Sequence, residues 1–371
     1  RSGARAAWQG TINGIQVEGV SLEAMREAIA LSGNATLGTD GTWRIGEARI
    51  GSAAGQATVS GQGAGDNVTV DLALELPRLA AFEPSLAGAG RLSGRVARTN
   101  GRTEARLDGA VTGFARGPLV SRSLSLSAAG IVDAAGAASG TLKIDGDLAD
   151  HPLTLDGRFA TDAAGGVQVP VFQGRWASAL LDIADFSIAN ERATGHARLK
   201  VSRLEDASAL SGTPLAGAID LEIVADPAAA GQRLTVRLDG TGLRAGTIGV
   251  AGLEARGTVD RPGPELALDA TLSANGLAGV ADLSSAKVTA KGALQDMVVA
   301  VQANGRETRA TLEASLQKAG EELAVALRRF DGSYRAIPVA LASPGRIVVA
   351  GPNVTIEPLA LRLGAGRVTI R

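Results

Sequence analysis

The chain has 371 residues and a net charge of −1, and its composition is unusual because 49 residues are Gly and only ten are aromatic (6 Phe, 3 Trp, 1 Tyr). Hydrophobic residues make up 45 % of the chain, which excludes wholesale disorder. The absence of Cys excludes disulfides, thiolate metal sites and a cysteine nucleophile. Nucleic-acid binding requires a basic surface and usually stacking rings, so the balanced charge and the scarce aromatics argue against it.

The sequence opens at Arg1 and closes with the strand-like residues 368–371. It shows no signal segment, and no apolar stretch reaches the roughly 18 residues that a membrane helix needs. We therefore expect the chain to be part of a longer protein, whose anchor and targeting signals lie outside it.

Apolar and polar residues alternate along most of the chain. Successive side chains of a strand point to opposite faces of a sheet, so each alternating segment has one aliphatic face and one charged face. This pattern is typical of antiparallel sheets with one side in water. The clearest segments are 68–76, 233–239, 266–272, 312–316, 323–327 and 359–363.

Asn-Gly and Asp-Gly dipeptides separate many of these segments. Both residues accept a positive φ, so they favour tight hairpin turns. The predicted turns are Asp40-Gly41, Asn100-Gly101, Asp108-Gly109, Asp156-Gly157, Asn275-Gly276, Asn304-Gly305 and Asp331-Gly332. The sequence thus predicts many short strands joined by tight turns.

Helical periodicity is rare. A stripe of Leu22, Met25 and Ile29 predicts one amphipathic helix, and the stretches 79–86 and 204–210 each predict about two helical turns. The fold class we predict is all-β: an elongated, curled, mainly antiparallel sheet with an aliphatic interior and a few short helices. The abundant glycine suits the kinks and curvature of such a sheet.

The two short helical stretches begin an internal repeat of Gly and Leu. The offset between matched residues runs from 123 (Gly94 to Gly217) to 131 (Leu107 to Leu238), so the repeat tolerates small insertions. We expect residues 1–371 to form one continuous repetitive β-groove, with the sub-units 1–76, 77–203 and 204–371.

Residues that carry chemistry are few. His151 and His196 are the only histidines, and neither has a ligand partner at metal-binding spacing, so we expect His151 in an exposed turn and His196 on a strand. The carboxylate pairs Glu205-Asp206 and Glu321-Glu322 are typical of solvated charges. No nucleophile elbow or phosphate loop is present. We predict no enzyme activity, no cofactor and no metal.

The closing part of the chain resembles a known family. The stretch 327–335 (LRRFDGSYR), the strand at 344–347 and the stretch 359–368, together with the Leu-x-Gly repeats, are similar to the middle part of TamB-type proteins in the AsmA-like group. The resemblance is sharpest over residues 204–371.

This resemblance implies a protein that is anchored in the inner membrane of a Gram-negative cell and crosses the periplasm. It implies a β-taco, which is a long curled sheet around an apolar trough. It also implies a role in moving phospholipid to the outer membrane and in outer-membrane protein biogenesis with the barrel partner TamA, through regions outside this chain.

We therefore expect phospholipid acyl chains to slide along an aliphatic groove. The residues predicted to line it are Val70, Leu72, Leu74, Leu153, Leu155, Val236, Leu238, Leu266, Leu268, Val299, Val301, Val325, Leu327, Leu359 and Leu361. One alternative is a structural or adhesive β-solenoid with a closed interior. Another is an enzyme on a β-helix, which would need an aromatic or carboxylate-lined cleft.

Overall fold

The computed structural model describes residues 3–12, 28–190, 192–228, 231–262, 266–280, 282–293, 295–319, 322–351 and 353–370. Strands account for 79 % of the structure and helices for 3 %, and the sheet is antiparallel and not closed. The predicted all-β class, the antiparallel pairing and the scarcity of helix are confirmed. The chain divides into two compact units, Arg1–Ala189 and Asn190–Arg371, and the finer division into 1–76, 77–203 and 204–371 stays a prediction.

The first unit is a ladder in which each strand pairs with the next along the chain, so that β1 pairs with β2 and β11 with β12. Neighbouring strands of a sheet lie about 4.8 Å apart. Its strands are β1 (Ala4–Ile12), β2 (Ile29–Leu37), β3 (Trp43–Ser52), β4 (Gly55–Ala64), β5 (Asn67–Leu76), β6 (Ala87–Thr99), β7 (Arg102–Arg116), β8 (Leu119–Val132), β9 (Ala138–Leu148), β10 (His151–Thr161), β11 (Val167–Trp176) and β12 (Ala179–Ala189).

The second unit is a similar ladder from β13 to β21, after which the sheet forks. The first half of β21 pairs with β23, and its second half pairs with β22. Its strands are β13 (Arg192–Val201), β14 (Leu215–Ala228), β15 (Gly231–Ala245), β16 (Ile248–Pro262), β17 (Ala267–Ala278), β18 (Leu283–Ala293), β19 (Asp296–Gly305), β20 (Thr308–Ala319), β21 (Glu322–Tyr334), β22 (Ile337–Leu341), β23 (Gly345–Ala350), β24 (Asn353–Ile356), β25 (Leu359–Leu363) and β26 (Gly366–Ile370).

Two of the three predicted helices are present as short turns. A 3-10 turn spans Leu79–Ala81, and a 3-10 turn over Leu204–Ala207 continues into the helix α1 (Ser208–Ser211). The helix predicted from Leu22 and Met25 lies outside the described residues. Ile29, the last residue of its stripe, begins β2, so the helix prediction is wrong at that position.

The turn predictions are confirmed at Asp40-Gly41 and Asn100-Gly101, which join β2 to β3 and β6 to β7. They are wrong elsewhere, since the chain continues straight through the dipeptide in most cases. The dipeptides inside strands are Asp108-Gly109 in β7, Asp156-Gly157 in β10, Asn275-Gly276 in β17 and Asp331-Gly332 in β21, while Asn304-Gly305 ends β19.

The physical reason is a close cross-strand contact, not a turn. A Cβ atom on Gly109 would lie 3.1 Å from Leu92 Cδ1, and one on Gly157 would overlap the ring of Phe172. These glycines lie beside large side chains of the neighbouring strand and leave room for them. Gly276 does have a positive φ of 60°, but it forms an irregularity within β17 without reversing the chain.

The repeat exists in the structure with a different alignment from the predicted one. Gly88 (φ 110°) lies against the Thr112 and Gly113 carbonyls, and Gly217 (φ 103°) lies against the Thr241 and Gly242 carbonyls. Each glycine follows a short helical segment and opens a long strand at a register shift. Gly88 therefore corresponds to Gly217, and the predicted match of Gly94 with Gly217 is wrong.

Candidate functional site

One face of the first unit is apolar across neighbouring strands. Residues that pair across two strands point to the same side of a sheet, so the register identifies the members of each face. From β5 to β10 the successive partners are Leu72, Gly94, Leu107, Ala128, Leu142 and Gly157. We call this side the apolar face of the unit. All five predicted lining residues of this unit lie on it, namely Val70, Leu72, Leu74, Leu153 and Leu155.

The second unit has its own apolar face, defined in the same way. From β13 to β21 the successive partners are Leu199, Leu221, Leu238, Ala255, Leu272, Val288, Val301, Leu312 and Phe330. The predicted residues on this face are Val236, Leu238, Leu268, Val299, Val301, Val325, Leu327, Leu359 and Leu361. Leu266 lies one residue before β17 and is half-buried.

The side chains of these faces are only partly shielded from water. All fifteen predicted lining residues are half-buried. Among the described residues, the buried apolar side chains are five alanines and Met297, without a buried Leu, Ile, Val or aromatic ring. Folded proteins normally bury such side chains and rarely expose large contiguous apolar patches. Each unit therefore presents an aliphatic surface that its own side chains do not fully cover.

The total accessible surface supports this interpretation. The chain exposes 22538 Å². Two separate globular units, each of half its mass, would together expose about 16,500 Å² by the usual scaling of area with mass. The excess is expected of one-layer sheets, in which no second layer packs against the apolar side.

Glycines and large side chains share the apolar face of the first unit. The rings of Trp8, Trp43, Phe159 and Phe172 lie over Gly33, Gly63, Gly140 and Gly157 of adjacent strands, respectively, close to where a Cβ atom would stand. A ring placed over glycine covers the position where a side chain is missing, and this arrangement also helps to fix the register of the two strands.

The opposite side, which we call the polar face, carries most of the charged residues. Ion pairs across strands join Arg95 to Asp71 at 2.6 Å and Arg198 to Asp220 at 2.5 Å. Pairs two residues apart on one strand are Glu47–Arg49, Arg102–Glu104, Arg106–Asp108, Lys143–Asp145, Arg237–Asp239, Glu254–Arg256 and Arg329–Asp331. Solvent-exposed ion pairs contribute little to stability, so these pairs mainly keep the polar face hydrated.

Hydrogen bonds to these carboxylates shift their ionisation. The Arg95 guanidinium lowers the pKa of Asp71, and the Arg198 guanidinium lowers that of Asp220. The pKa of Asp147 is lowered mainly by the backbone N–H of Arg122, with further donation from Ser123 N–H. All of these groups are charged at neutral pH and none is poised for proton transfer.

A shallow concavity of about 220 Å³ lies on the apolar face of the second unit. It crosses β15 to β18 and includes the predicted residues Val236 and Leu268, with Leu272, Val288 and Ala290. Its lining is almost entirely aliphatic, so it offers contact area without directed hydrogen bonds. Such a surface suits a hydrocarbon chain better than a polar substrate.

The larger concavity of about 690 Å³ was not predicted and lies mainly against the polar face of the first unit. Ala129 and Ile131 are among the apolar residues that line it, and Arg106 and Arg158 are among the charged ones. The sequence contained a signal for this concavity, because the alternation of apolar and polar residues is interrupted in β8 by the run 128–132, which has no polar side chain. Both sides of a strand with such a run carry apolar atoms.

The two histidines lie on different strands. His151 begins β10 and its ring meets that of Trp176 edge to face at 5.9 Å, so the prediction of an exposed turn is wrong. His196 lies on β13, as predicted. Within the described ranges, no group of three potential metal ligands is present. In the same part of the chain, no helix has the length and apolarity to cross a membrane.

Comparison with known proteins identifies no relative of this chain. No family profile, no curated protein and no solved structure matches this chain. The two faces of each unit and their residues therefore carry the functional assignment.

Proposed function

We propose that this chain is an internal segment of a TamB-type lipid-transfer bridge, and that phospholipid acyl chains move along its apolar faces. The observation that carries the proposal is the register. It places all the predicted lining residues that lie in strands on one face of their unit, where they remain half-exposed. The resemblance of residues 204–371 to TamB-type proteins supports the same assignment.

The energetics favour hydrocarbon on such a face. Each methylene removed from water contributes about 0.8 kcal/mol, and the exposed Leu and Val side chains lose water at the same time. An aliphatic surface makes no directed hydrogen bonds, so one position along it differs little from the next. A tail is held against the face but meets only low barriers to sliding.

In this proposal the protein acts in the periplasm of a Gram-negative bacterium, as part of a chain anchored in the inner membrane. Its role is to supply phospholipid for outer-membrane biogenesis and so to support protein insertion there. Contact with the barrel TamA is assigned to regions outside this chain. Catalysis is not part of the proposal.

A pair of adjacent positions provides the test. Leu268 lies on the apolar face opposite Val259, and Asp269 lies on the polar face, where it pairs with Lys291 at 3.1 Å. Benzoylphenylalanine placed at Leu268 should crosslink to phospholipid from vesicles, and the same residue at Asp269 should not. Mass spectrometry of the adducts identifies the lipid. A second pair, Leu72 and Asp71, repeats the test in the first unit.

Equal labelling at both positions of a pair would contradict a one-faced conduit. No labelling at either position, with a chain that binds no lipid in native mass spectrometry, would favour the alternative of a structural β-solenoid.

A further inference from the structure

The concavity of about 690 Å³ on the polar face of the first unit has no part in the proposed conduit. Two rows of cross-strand partners, which run from β6 to β10, line it. The first row is Arg95, Arg106, Ala129, Thr141 and Arg158, and the second is Ala97, Glu104, Ile131, Ser139 and Ala160. Both rows are one residue out of phase with Leu107 and Leu142 of the apolar face. The concavity therefore opens on the side of the sheet that faces away from the acyl chains.

The centre of this concavity has short or apolar side chains, although it belongs to the charged face. Ala129 and Ile131 of β8 pair with Thr141 and Ser139 of β9, respectively, and we call these four residues the centre. Ala129 is exposed and Ile131 is half-buried. Apolar surface with a rim of polar residues marks sites of interaction with other molecules.

Arginines stand on both sides of the centre. Arg106 of β7 and Arg158 of β10 belong to the same row, three strand spacings or about 14 Å apart along the sheet. Arg106 bonds to Asp108 through Nε alone, at 3.2 Å, and Arg158 has no ion pair within the described residues. Glu104 is the one carboxylate among the residues given for the lining, and Arg102 neutralises it at 3.1 Å. The two sides therefore attract anionic groups.

A bulge bends the sheet at this place. The pairing of β10 with β11 shifts register between Arg158 and Ala160, and Pro170 lies in the extra stretch of β11. Proline donates no backbone hydrogen bond, so within a sheet it is confined to edges and bulges. Asp185, which stands opposite Pro170 on β12, has a positive φ of 51°. Bulges are frequent beside functional sites, and Pro170 itself lines the concavity.

We infer that this concavity docks an acidic amphipathic helix of a partner protein. The helix lies along the strands between Arg106 and Arg158. Its apolar stripe covers Ala129 and Ile131, and carboxylates on its two flanks meet the arginines. An α-helix with its side chains is about 10–12 Å wide, which fits the spacing of about 14 Å between the two arginine positions.

Charge complementarity is the reason for an acidic partner. A guanidinium binds a carboxylate through two parallel hydrogen bonds, and the Nη groups of Arg106 are not used by Asp108. The inference goes beyond the proposed function and does not depend on it. It gives the polar face a protein partner and leaves the apolar face free for acyl chains.

The test uses two synthetic helical peptides that have the same apolar stripe. One peptide carries Glu on both flanks, and the other carries Lys at the same positions. Fluorescence anisotropy of each labelled peptide, titrated with the chain, gives its dissociation constant. We expect the Glu peptide to bind about tenfold more tightly, since its carboxylates meet cations. The difference should shrink as salt is added, because the arginines are exposed.

The variant Arg106→Gln/Arg158→Gln should weaken binding of the Glu peptide about fivefold or more. The matched control is Arg91→Gln/Arg175→Gln, which removes two cations from the polar face outside the concavity and should leave the affinity nearly unchanged. Circular dichroism of each variant confirms that the sheet is retained.

A second variant separates charge from loss of structure. Ala129→Glu places a carboxylate at the centre of the concavity, so it should weaken the Glu peptide and strengthen the Lys peptide. An unfolded sheet would weaken both. Equal affinity for the two peptides in the unmodified chain, or an affinity for the Glu peptide that survives Arg106→Gln/Arg158→Gln, overturns the inference.

A crosslinker identifies other occupants. Benzoylphenylalanine at Ala129 should crosslink to the Glu peptide, whereas adducts with phospholipid from vesicles would assign the concavity to lipid. Self-association of the chain that is lost in Arg106→Gln/Arg158→Gln, measured by sedimentation, would assign it to a second copy. Either result overturns the inference. Crosslinking at Leu72 and Asp71 tests the conduit separately, so its failure is distinguishable from failure of the docking site.

Discussion

The phenyl ring of Phe159 covers Gly140 on the neighbouring strand, so that a Cβ atom on Gly140 would lie 2.5 Å from Phe159 Cζ and 2.6 Å from the Ala129 carbonyl oxygen. Directly opposite Gly140 stands Gly130, where a Cβ atom would have only an ordinary contact at 3.4 Å. Two paired glycines on one face therefore differ sharply in what they tolerate.

Replacing Gly140 with Ala should destabilise the chain. The added methyl group must displace a ring and a backbone carbonyl, and overpacking of this kind costs about 1–3 kcal/mol. Thermal unfolding should show a melting temperature lowered by several degrees. Gly130→Ala is the control and should leave the melting temperature nearly unchanged. An equal loss in both variants would mean that the ring of Phe159 does not rest on Gly140.

The two copies of the repeat should respond alike to substitution. Gly88→Ala and Gly217→Ala each force an L-residue into a positive φ and against two carbonyl oxygens at 2.6–2.8 Å. Such strain costs about 1–3 kcal/mol, and chemical denaturation should show it in each variant. Gly51→Ala, where the nearest atom would be Gln56 Cγ at 4.0 Å, is the control. A neutral result in only one copy would argue against structural equivalence.

Asp147 should make stability depend on pH in the acid range. The backbone N–H of Arg122, with further donors from Ser123 and the Arg122 side chain, lowers the pKa of Asp147 in the folded chain. The ionised carboxylate is therefore more stable in the folded chain than in the unfolded chain. Its contribution is fully present above the unfolded pKa of about 3.9 and is lost as pH falls through the lower folded value. Asp147→Asn should therefore lower the melting temperature at pH 7, with a difference that shrinks in acid.

Asp156→Asn, on the polar face of β10, is the matched control for that measurement and should have little effect at pH 7. A carboxyl titration of Asp147 by NMR that is centred at or above the usual value for Asp would contradict the argument.

A charge on the apolar face should obstruct lipid. Leu238 pairs with Leu221 and Ala255 in the middle of the second unit's apolar face. An acyl chain that covers a carboxylate at position 238 must strip water from it, which costs free energy. Leu238→Asp should therefore lower the amount of bound phospholipid, measured by native mass spectrometry, about fivefold or more. Thr235→Asp places the same charge on the polar face of the same strand. Retention of lipid by Leu238→Asp would count against movement along this face.

Much of the candidate site could be predicted because alternation is a local property. Val70, Leu72 and Leu74 lie on one side of β5 for the same reason that Asp71 lies on the other: successive residues of a strand point in opposite directions. A common apolar face also requires that each strand pair align its apolar residues with those of its neighbour, and the pairing from β5 to β10 does this. Any slip by one residue would have placed Asp next to Leu across a strand pair.

The glycines were harder to predict. Asn100-Gly101 forms a turn, with positive φ at both residues, whereas Asp156-Gly157 lies inside β10 because Phe172 of the next strand covers Gly157. The dipeptide is similar in both places, and the difference lies in a residue 15 positions away (172 − 157). Similarly, the repeat could be aligned correctly only when Gly88 and Gly217 were seen against their carbonyl partners.

The amino-acid order alone decided that the chain is β-sheet with one aliphatic and one charged side, because strand geometry converts a period of two into two faces. The tertiary structure decided which strands adjoin and which glycines lie under the rings of neighbouring strands. Those features depend on contacts between residues far apart in the chain, and the free energy of such contacts is set by the neighbouring strand and not by local sequence.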